Sequence, residues 1–271
     1  MAHNLLAGKR GIIFGALDEN SMAWRVALKA KAEGAIFTLS NAPLAMRMGE
    51  ITKLAAECNA EVIPADATSV DDLNALVSKS VEMLGGKLDF VLHSIGMSPN
   101  VRKSRPYGDL NYEFFQKTLD ISALSFHKVL QVCEKQDAIN EYGSVLALSY
   151  IAAQRVFPDY GDMAQAKATL ESIARSYGYR YGKLKKVRVN TISQSPTMTK
   201  AGQGIDGFDA FFNFADAMSP LGNATGDELA DYVITLFSDL TRKVTMQNLF
   251  HDGGFSCTGI TEEIMAKMTS K

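Results

Sequence analysis

The sequence predicts a single α/β domain, a doubly wound parallel sheet (Rossmann-like, about seven strands) with helices on both faces. Three observations carry this. Short β-branched, apolar runs alternate with longer helical patterns from residue 10 to residue 254. The runs are apolar on both faces, as strands are when helices cover both sides of the sheet. No Pro-, Gly- or Ser-rich linker divides the 271 residues, so 1–271 reads as one unit.

The elements follow in order. "RGIIFG" (10–15) is a strand, and "SMAWRVALKAKAEG" (21–34) a helix closed by Gly34. "AIFTLS" (35–40) is a strand and "APLAMRMGEITKLAAEC" (42–58) a helix. "EVIPAD" (61–66) is a strand, with the helix "VDDLNALVSKSVEML" (70–84) after it. "KLDFVLHSIG" (87–96) is a strand running into a loop. A long helix covers 111–135, then come the strand "GSVLALS" (143–149) and a helix from about Tyr160. "KKVRVNTIS" (185–193) and "NLFHDGG" (248–254) are the last strands.

Composition narrows the class. The chain is 46% hydrophobic, with Lys+Arg 28 against Asp+Glu 30 and net charge −2. That suits a soluble globular protein and argues against a nucleic-acid partner. Cys58, Cys133 and Cys257 are far apart and odd in number, which suits a reducing compartment and offers neither a disulfide framework nor zinc-ligand spacing. No run approaches the roughly 18 apolar residues of a membrane span. "GIIFGAL" after Lys9-Arg10 is too short for a signal peptide, and Asp18-Glu19 follow it directly. The expectation is a cytoplasmic protein with no membrane partner and no metal.

In such folds ligands sit beyond the carboxyl ends of the strands. The first end carries Gly15, where the chain must turn, and Ser21 at a helix N-cap position. That helix N-terminus could take a pyrophosphate on its free amides. The stretch matches neither G-x-G-x-x-G nor G-x-x-x-x-G-K-[ST], and its ordinary reading is a βα turn with a capping serine. The second end, Ser40-Asn41, lacks both the acidic residue that holds a ribose and an adjacent arginine for a 2′-phosphate; Arg47 is the nearest. Asp66 could accept from an adenine amino group, or simply close a turn. Gly96 allows close backbone approach, while His93 reads as a satisfied core histidine. The fifth end brings Tyr150 and Tyr160 to the same rim. Tyr160 stands seven residues before Lys167, about two helical turns, so the two can share a face. A neutral tyrosine can donate to a developing oxyanion, and a nearby ammonium favours that and can hold a sugar hydroxyl.

Taken together, these motifs resemble the short-chain dehydrogenase/reductase superfamily, and within it the FabI-type enoyl-acyl-carrier-protein reductases, over residues 6 to 256. The resemblance rests on Gly15 with Ser21 six residues on, "HSIG" (93–96), "LSY" (148–150), Tyr160-x6-Lys167, "RVNTIS" (188–193) with Pro196, and "DGGFS" (252–256). The superfamily's usual Tyr-x3-Lys is missing: the fourth residue after Tyr150 is Gln154, and after Tyr160 it is Ala164. The resemblance implies that Gly15, Ser21, Met22, Ser40, Asp66, Ala67, Ser94, Ile95, Gly96, Thr197, Met198, Thr199, Lys200 and Ala201 contact a dinucleotide. It implies that Lys167 holds the nicotinamide ribose, that Tyr160 donates to the oxyanion, and that Tyr150 and Ser98 border the substrate. Residues 194–218 would be a lid over the acyl chain, with core packing the plainer reading of the phenylalanines in "FDAFFNFADAM". The implied partners are an acyl carrier protein and further copies of the chain in a homotetramer.

The sequence departs from the family pattern in three ways. Arg25 stands where a glycine is usual, leaving Ala23 to make the close helix–strand contact. Ser40-Asn41 lacks positive charge, which favours NADH over NADPH. Asp206, Asp209 and Asp216 stand where basic residues often meet the carrier, leaving Lys200, Arg242 or Lys243 for that task. Two alternatives stay open: a 3-oxoacyl or other carbonyl reductase of the same superfamily, and a non-catalytic dinucleotide-binding protein.

Overall fold

The alternating runs assemble into one seven-stranded parallel sheet of order β3-β2-β1-β4-β5-β6-β7. This is seen in a computed structural model that describes residues 3–47, 50–199 and 207–269. The strands are β1 (Arg10–Phe14), β2 (Ile36–Ser40), β3 (Glu61–Val62), β4 (Leu88–His93), β5 (Ile139–Ser149), β6 (Arg188–Gln194) and β7 (Asn248–His251). Helices α1 (Met22–Ala32), α2 (Pro43–Met46), α3 (Ile51–Cys58) and α4 (Val70–Met83) fall between the first four strands. Next come α5 (Pro99–Arg102), α6 (Tyr112–Leu119), α7 (Ser125–Lys135) and α8 (Met163–Lys185). The last are α9 (Phe208–Met218), α10 (Gly226–Phe237) and α11 (Glu262–Thr269).

Alternate residues along each strand feed two cores. On one face Ile13, Leu92, Leu146 and Ile192 pack with Trp24 of α1, Leu54 of α3 and Phe237 of α10. On the other, Ile12, Val91, Val145 and Val189 pack with Leu73 of α4, Phe126 of α7 and Leu170 of α8. Strand order reverses at β1, which pairs with β2 on one side and β4 on the other. A crevice opens there beyond the carboxyl ends.

The differences from the sequence reading have local causes. The helix expected over 42–58 is split into α2 and α3; Met48 and Gly49 lie outside the described residues. β3 is short because Pro64 has no N–H for the ladder, although Ile63 and Ala65 still donate to Leu39 O (2.9 Å) and Asn41 O (3.1 Å). The 111–135 helix contains a π-helical turn, Asp120–Leu124, between α6 and α7. The helix expected from Tyr160 starts at Met163 instead. Tyr160 closes a short 3₁₀ turn (Pro158–Tyr160), and Gly161 follows with φ +44°.

Candidate active site

The crevice depends on one close approach. Gly15 follows β1 with φ +94°, a conformation glycine tolerates best. A Cβ there would lie 2.8 Å from the carbonyl carbon of Ser94 and closer still to its oxygen, so a glycine lets the ends of β1 and β4 meet. Gly15 N–H donates to Ser40 O (3.0 Å), and Asn41 Nδ2 donates to Ala16 O (2.9 Å), which seats the end of β2 beside the same turn.

Ser21 occupies the N-cap position of α1, but it does not cap the helix. Its hydroxyl donates to Asp18 O (2.6 Å) and accepts from Leu17 N–H (3.1 Å). The first turn of this 11-residue helix holds no acidic residue. Its amides are therefore left without the Ser21 cap, at the positive end of the helix dipole, beside Met22. That arrangement suits an anion. Ala23 is fully buried, as its contact with the sheet requires, and Arg25 points outward to Asp227 (3.8 Å).

Two further groups border the crevice. Ser40 Oγ is buried and has no partner among the described residues. Arg47, the nearest arginine in sequence, is exposed. Asp66 is also exposed, and its Oδ1 accepts from Thr68 N–H (2.9 Å) and the Thr68 hydroxyl (2.8 Å). The turn reading of Asp66 is thus realised, with the carboxylate facing solvent and Ala67 buried behind it.

At the end of β4, Ile95 is half-buried and Gly96 exposed. A Cβ on Gly96 would lie 3.6 Å from Lys167 Nζ, so the glycine keeps the space beside the ammonium open. Lys167 is buried and donates to Leu148 O (2.7 Å). Burial pulls its pKa down to about 8, while Glu171, one turn on, opposes the shift. Glu171 itself accepts from Ser149 Oγ (2.7 Å) and Gln154 Nε2 (3.0 Å).

The two tyrosine rings pack against each other at a tilt of 50°, centroids 5.1 Å apart. Burial pushes both phenols above their ordinary pKa, and in Tyr150 the neighbouring Tyr160 adds to it. Both stay protonated O–H donors at neutral pH. Tyr150 Oη is buried with no partner among the described residues. Phe157 (5.5 Å) and Phe211 (6.3 Å, edge-on) wall the Tyr150 ring. Phe211 comes from α9, which fully buries only Ala215 and Met218. Its phenylalanines do not fill a sheet core, the plainer sequence reading; Phe211 lines the tyrosine rim instead.

The structure bears on three site expectations. Tyr160 and Lys167 do not share two turns of one helix, because the Gly161 turn separates Tyr160 from α8. Ser98 is buried, and its hydroxyl donates to Asp162 Oδ1 (2.6 Å) while accepting from Val101 N–H (3.0 Å). Its one O–H donor is thus taken by Asp162 and cannot be offered to a substrate. His93 is only half satisfied. The Ser125 hydroxyl donates to Ile121 O (2.6 Å) and so accepts from His93 Nε2–H (2.8 Å). Its Nδ1 has no partner, and burial with the Lys167 charge lowers its pKa to about 3.

Beyond β6, Thr197 Oγ1 donates to Ser195 O (3.1 Å), Thr199 N–H donates to Thr197 O (2.7 Å) and Met198 is exposed. Lys200, Ala201 and Asp206 lie outside the described residues. Among the described residues no group of three His, Cys, Asp or Glu could hold a metal, and no helix is long and apolar enough to cross a membrane. A groove of about 350 Å³ lined by His127, Ile173, Tyr177 and Arg180 shares no residue with the site.

The family model described as "Enoyl-(Acyl carrier protein) reductase" matches residues 15–256. The chain belongs to the enoyl-(acyl carrier protein) reductase family. The reductase is 34% identical over 262 residues to "Enoyl-[acyl-carrier-protein] reductase [NADH] 2" of Rhizobium meliloti, covering 95% of each chain. Among solved structures it is similar to the FabI–NADH complex from Alistipes finegoldii. There the identity is 61%, the TM-score 0.97, and the match covers 99% of this chain and 94% of that one. It is also similar to the Bacillus cereus enoyl-acyl carrier protein reductase with NADP+ and indole naphthyridinone, at 28% identity and TM-score 0.89, covering 96% of this chain and 100% of that one.

Sequence reasoning overlooked Glu171 and Asp162. Glu171 had a readable signal, an acid four residues after a helical lysine on the same face. Asp162 had none, because its partners lie 44 to 64 residues away.

Proposed function

We propose that the chain reduces the trans-2 double bond of enoyl-acyl-carrier-protein thioesters in fatty acid elongation, with NADH as the cofactor. The observation that carries this is the Tyr150–Tyr160 pair (5.1 Å) on the strand-end rim, in a chain whose Lys167 ammonium stands beside the open Gly96.

The residues present fit a dinucleotide. The uncapped amides of α1 beyond Gly15, Ser21 and Met22 hold its pyrophosphate. Ser40 and Asp66, with Ala67, border its adenosine end, where no described basic side chain is bound to Ser40 to receive a 2′-phosphate. Ser94, Ile95 and Gly96 flank the nicotinamide end, and Lys167 holds the ribose there with the N–H donors that Leu148 O does not take. Thr197, Met198 and Thr199 border it from the start of the 194–218 segment, and the resemblance adds Lys200 and Ala201, which lie outside the described residues.

NADH supplies a hydride, which reaches the β-carbon of the enoyl thioester. Negative charge then develops on the thioester oxygen, and Tyr160 donates its phenolic O–H to it. Burial keeps that phenol neutral and excludes water, so the donated bond is strong where charge appears. Tyr150 stands beside the thioester and Phe211 on α9 covers its apolar side. The α-carbon last takes a proton that comes from solvent, giving the saturated thioester. Arg242 and Lys243 are exposed and suit an acidic carrier protein, although Arg242 is engaged with Asp239 (3.0 Å). The assembly is a homotetramer and the setting cytoplasmic, both by likeness to the family.

The test follows absorbance at the reduced-nicotinamide band with crotonyl and with acetoacetyl thioester, using NADH and NADPH separately. Oxidation of NADH with the enoyl substrate is expected. Oxidation with the oxoacyl substrate alone would make the chain a carbonyl reductase, and a clear preference for NADPH would overturn the cofactor assignment.

A further inference from the structure

Asp162 is a fully buried carboxylate at the N-cap of α8, yet its side chain does not cap that helix. It turns away and receives donors from other elements. Ser98 Oγ donates to Oδ1 (2.6 Å) and Asn100 Nδ2 to Oδ2 (2.7 Å). Thr118 Oγ1 lies 2.9 Å from Oδ2 and 2.8 Å from Phe114 O, sharing one proton between them. Asn100 extends the network by exchanging bonds with the Asn111 backbone, both at 3.0 Å. Met97 N–H is tied to Ser122 Oγ (3.0 Å) on the π turn. One carboxylate thus joins the segment after β4 and α6 to the turn that carries Tyr160.

That turn is packed as well as bonded. A Cβ on Gly161 would touch Val101 Cγ2 at 3.4 Å and Leu110 Cδ2 at 3.8 Å. Tyr160 packs against Val101, Met163 and Ala166. The segment pinned by Asp162 therefore forms one wall of the Tyr160 ring, and Tyr150 forms another. Among the described residues the Tyr160 side chain makes no hydrogen bond, so the phenol's position depends on these walls. A buried carboxylate is costly unless hydrogen-bonded, and using it away from its own helix needs a reason other than capping.

We propose that Asp162 is a positioning residue: its carboxylate pins the 96–105 segment and α6 to the Tyr160 turn and thereby fixes where the phenol stands in the site. The inference rests on the enoyl reductase reading for its kinetic consequence, and on geometry alone for the clamp. An amide at this position offers one acceptor oxygen where several donors converge, so Asp162→Asn should loosen the clamp at nearly constant size.

The experiment has two readouts. Steady-state oxidation of NADH with crotonyl thioester should show kcat of Asp162→Asn lowered about 10- to 100-fold, with the NADH dissociation constant within about 3-fold of wild type. The same substitution in a Tyr160→Phe background should lower kcat by less than about 3-fold, because the position it controls no longer carries a donor. Amide hydrogen exchange should rise together in 97–105 and 111–118, whose bonds to Asp162 span 44 to 64 residues of sequence. An equal loss in both backgrounds, or unchanged exchange in both segments, would overturn the proposal. If Asp162→Asn does not fold, Ser98→Ala removes a single donor, and the same pattern in milder form is required of it. If the wild-type protein fails to reduce crotonyl thioester, the functional reading falls, and the exchange data alone then decide the clamp.

Discussion

Replacing Gly15 by alanine separates backbone strain from loss of the crevice. The structure lets the cost be divided, because Gly8 provides a control. Gly8 also has positive φ (+73°), but a Cβ there would meet nothing within 4 Å. Gly8→Ala should therefore lose only the conformational preference, about 1–2 kcal/mol. Gly15→Ala carries a similar term at φ +94° and in addition drives a methyl into the Ser94 backbone, 2.8 Å from its carbonyl carbon. To restore ordinary contact, the ends of β1 and β4 must part by about 1 Å or more. Backbone gives way less readily than a side chain, and overpacking of this kind costs about 1–3 kcal/mol beyond the strain. Urea unfolding at fixed protein concentration should place Gly15→Ala below Gly8→Ala by that difference. Titration of NADH fluorescence should show affinity falling about 10-fold or more for Gly15→Ala, since 1 Å misplacements are costly in sites of this type. Gly8→Ala should bind normally. If Gly15→Ala were no less stable than Gly8→Ala and bound NADH equally well, the argument that this glycine sets the crevice would be wrong.

Three other outcomes follow from the same geometry. Tyr160→Phe should lower kcat about 10²- to 10³-fold with NADH affinity nearly intact, as loss of one oxyanion donor does; equal losses in binding and turnover would remove its assigned role. Lys167→Ala should weaken NADH binding, and in the wild type affinity should decline as pH rises through about 8, where the ammonium is lost. Stability should move the opposite way, rising between pH 8 and the ordinary lysine value of 10.5, because there the unfolded chain binds the extra proton; pH-independent NADH binding would count against the ammonium. His93 stays neutral in the folded protein down to about pH 3, whereas the unfolded chain takes up a proton below about 6.5. Stability is therefore lost as pH falls through that window, and His93→Phe should reduce the acid sensitivity measured by thermal melts. An unchanged slope would mean that His93 is not the group responsible.

Much of the architecture could be read from hydrophobic alternation, because strands buried on both faces have few polar interruptions. The two-sided cores of Ile12/Ile13 and Val91/Leu92 show why. What escaped was set by single residues. Pro64 shortened β3, and the π turn at Asp120–Leu124 has no periodicity of its own to reveal it. Within the site, chemistry at strand ends was legible as residue type and position: Gly15, Gly96, the tyrosines and the lysine. Side-chain direction was not. Ser21 sits where a cap belongs but ties its own loop, and Ser98 turns inward to Asp162. The seven-residue spacing of Tyr160 and Lys167 assumed one continuous helix, and Gly161 breaks it, leaving Tyr160 on the turn before α8.

The central claim is that hydride goes to carbon in a C=C bond, with Tyr160 holding the charge that results. It is tested most directly by reducing crotonyl thioester with NADH deuterated at the transferring position and locating the label by mass spectrometry and NMR. One deuterium is expected at the β-carbon of a saturated butyryl product, formed far more slowly by Tyr160→Phe. A hydroxyacyl product from the oxoacyl substrate with no label delivered to crotonyl thioester would contradict it.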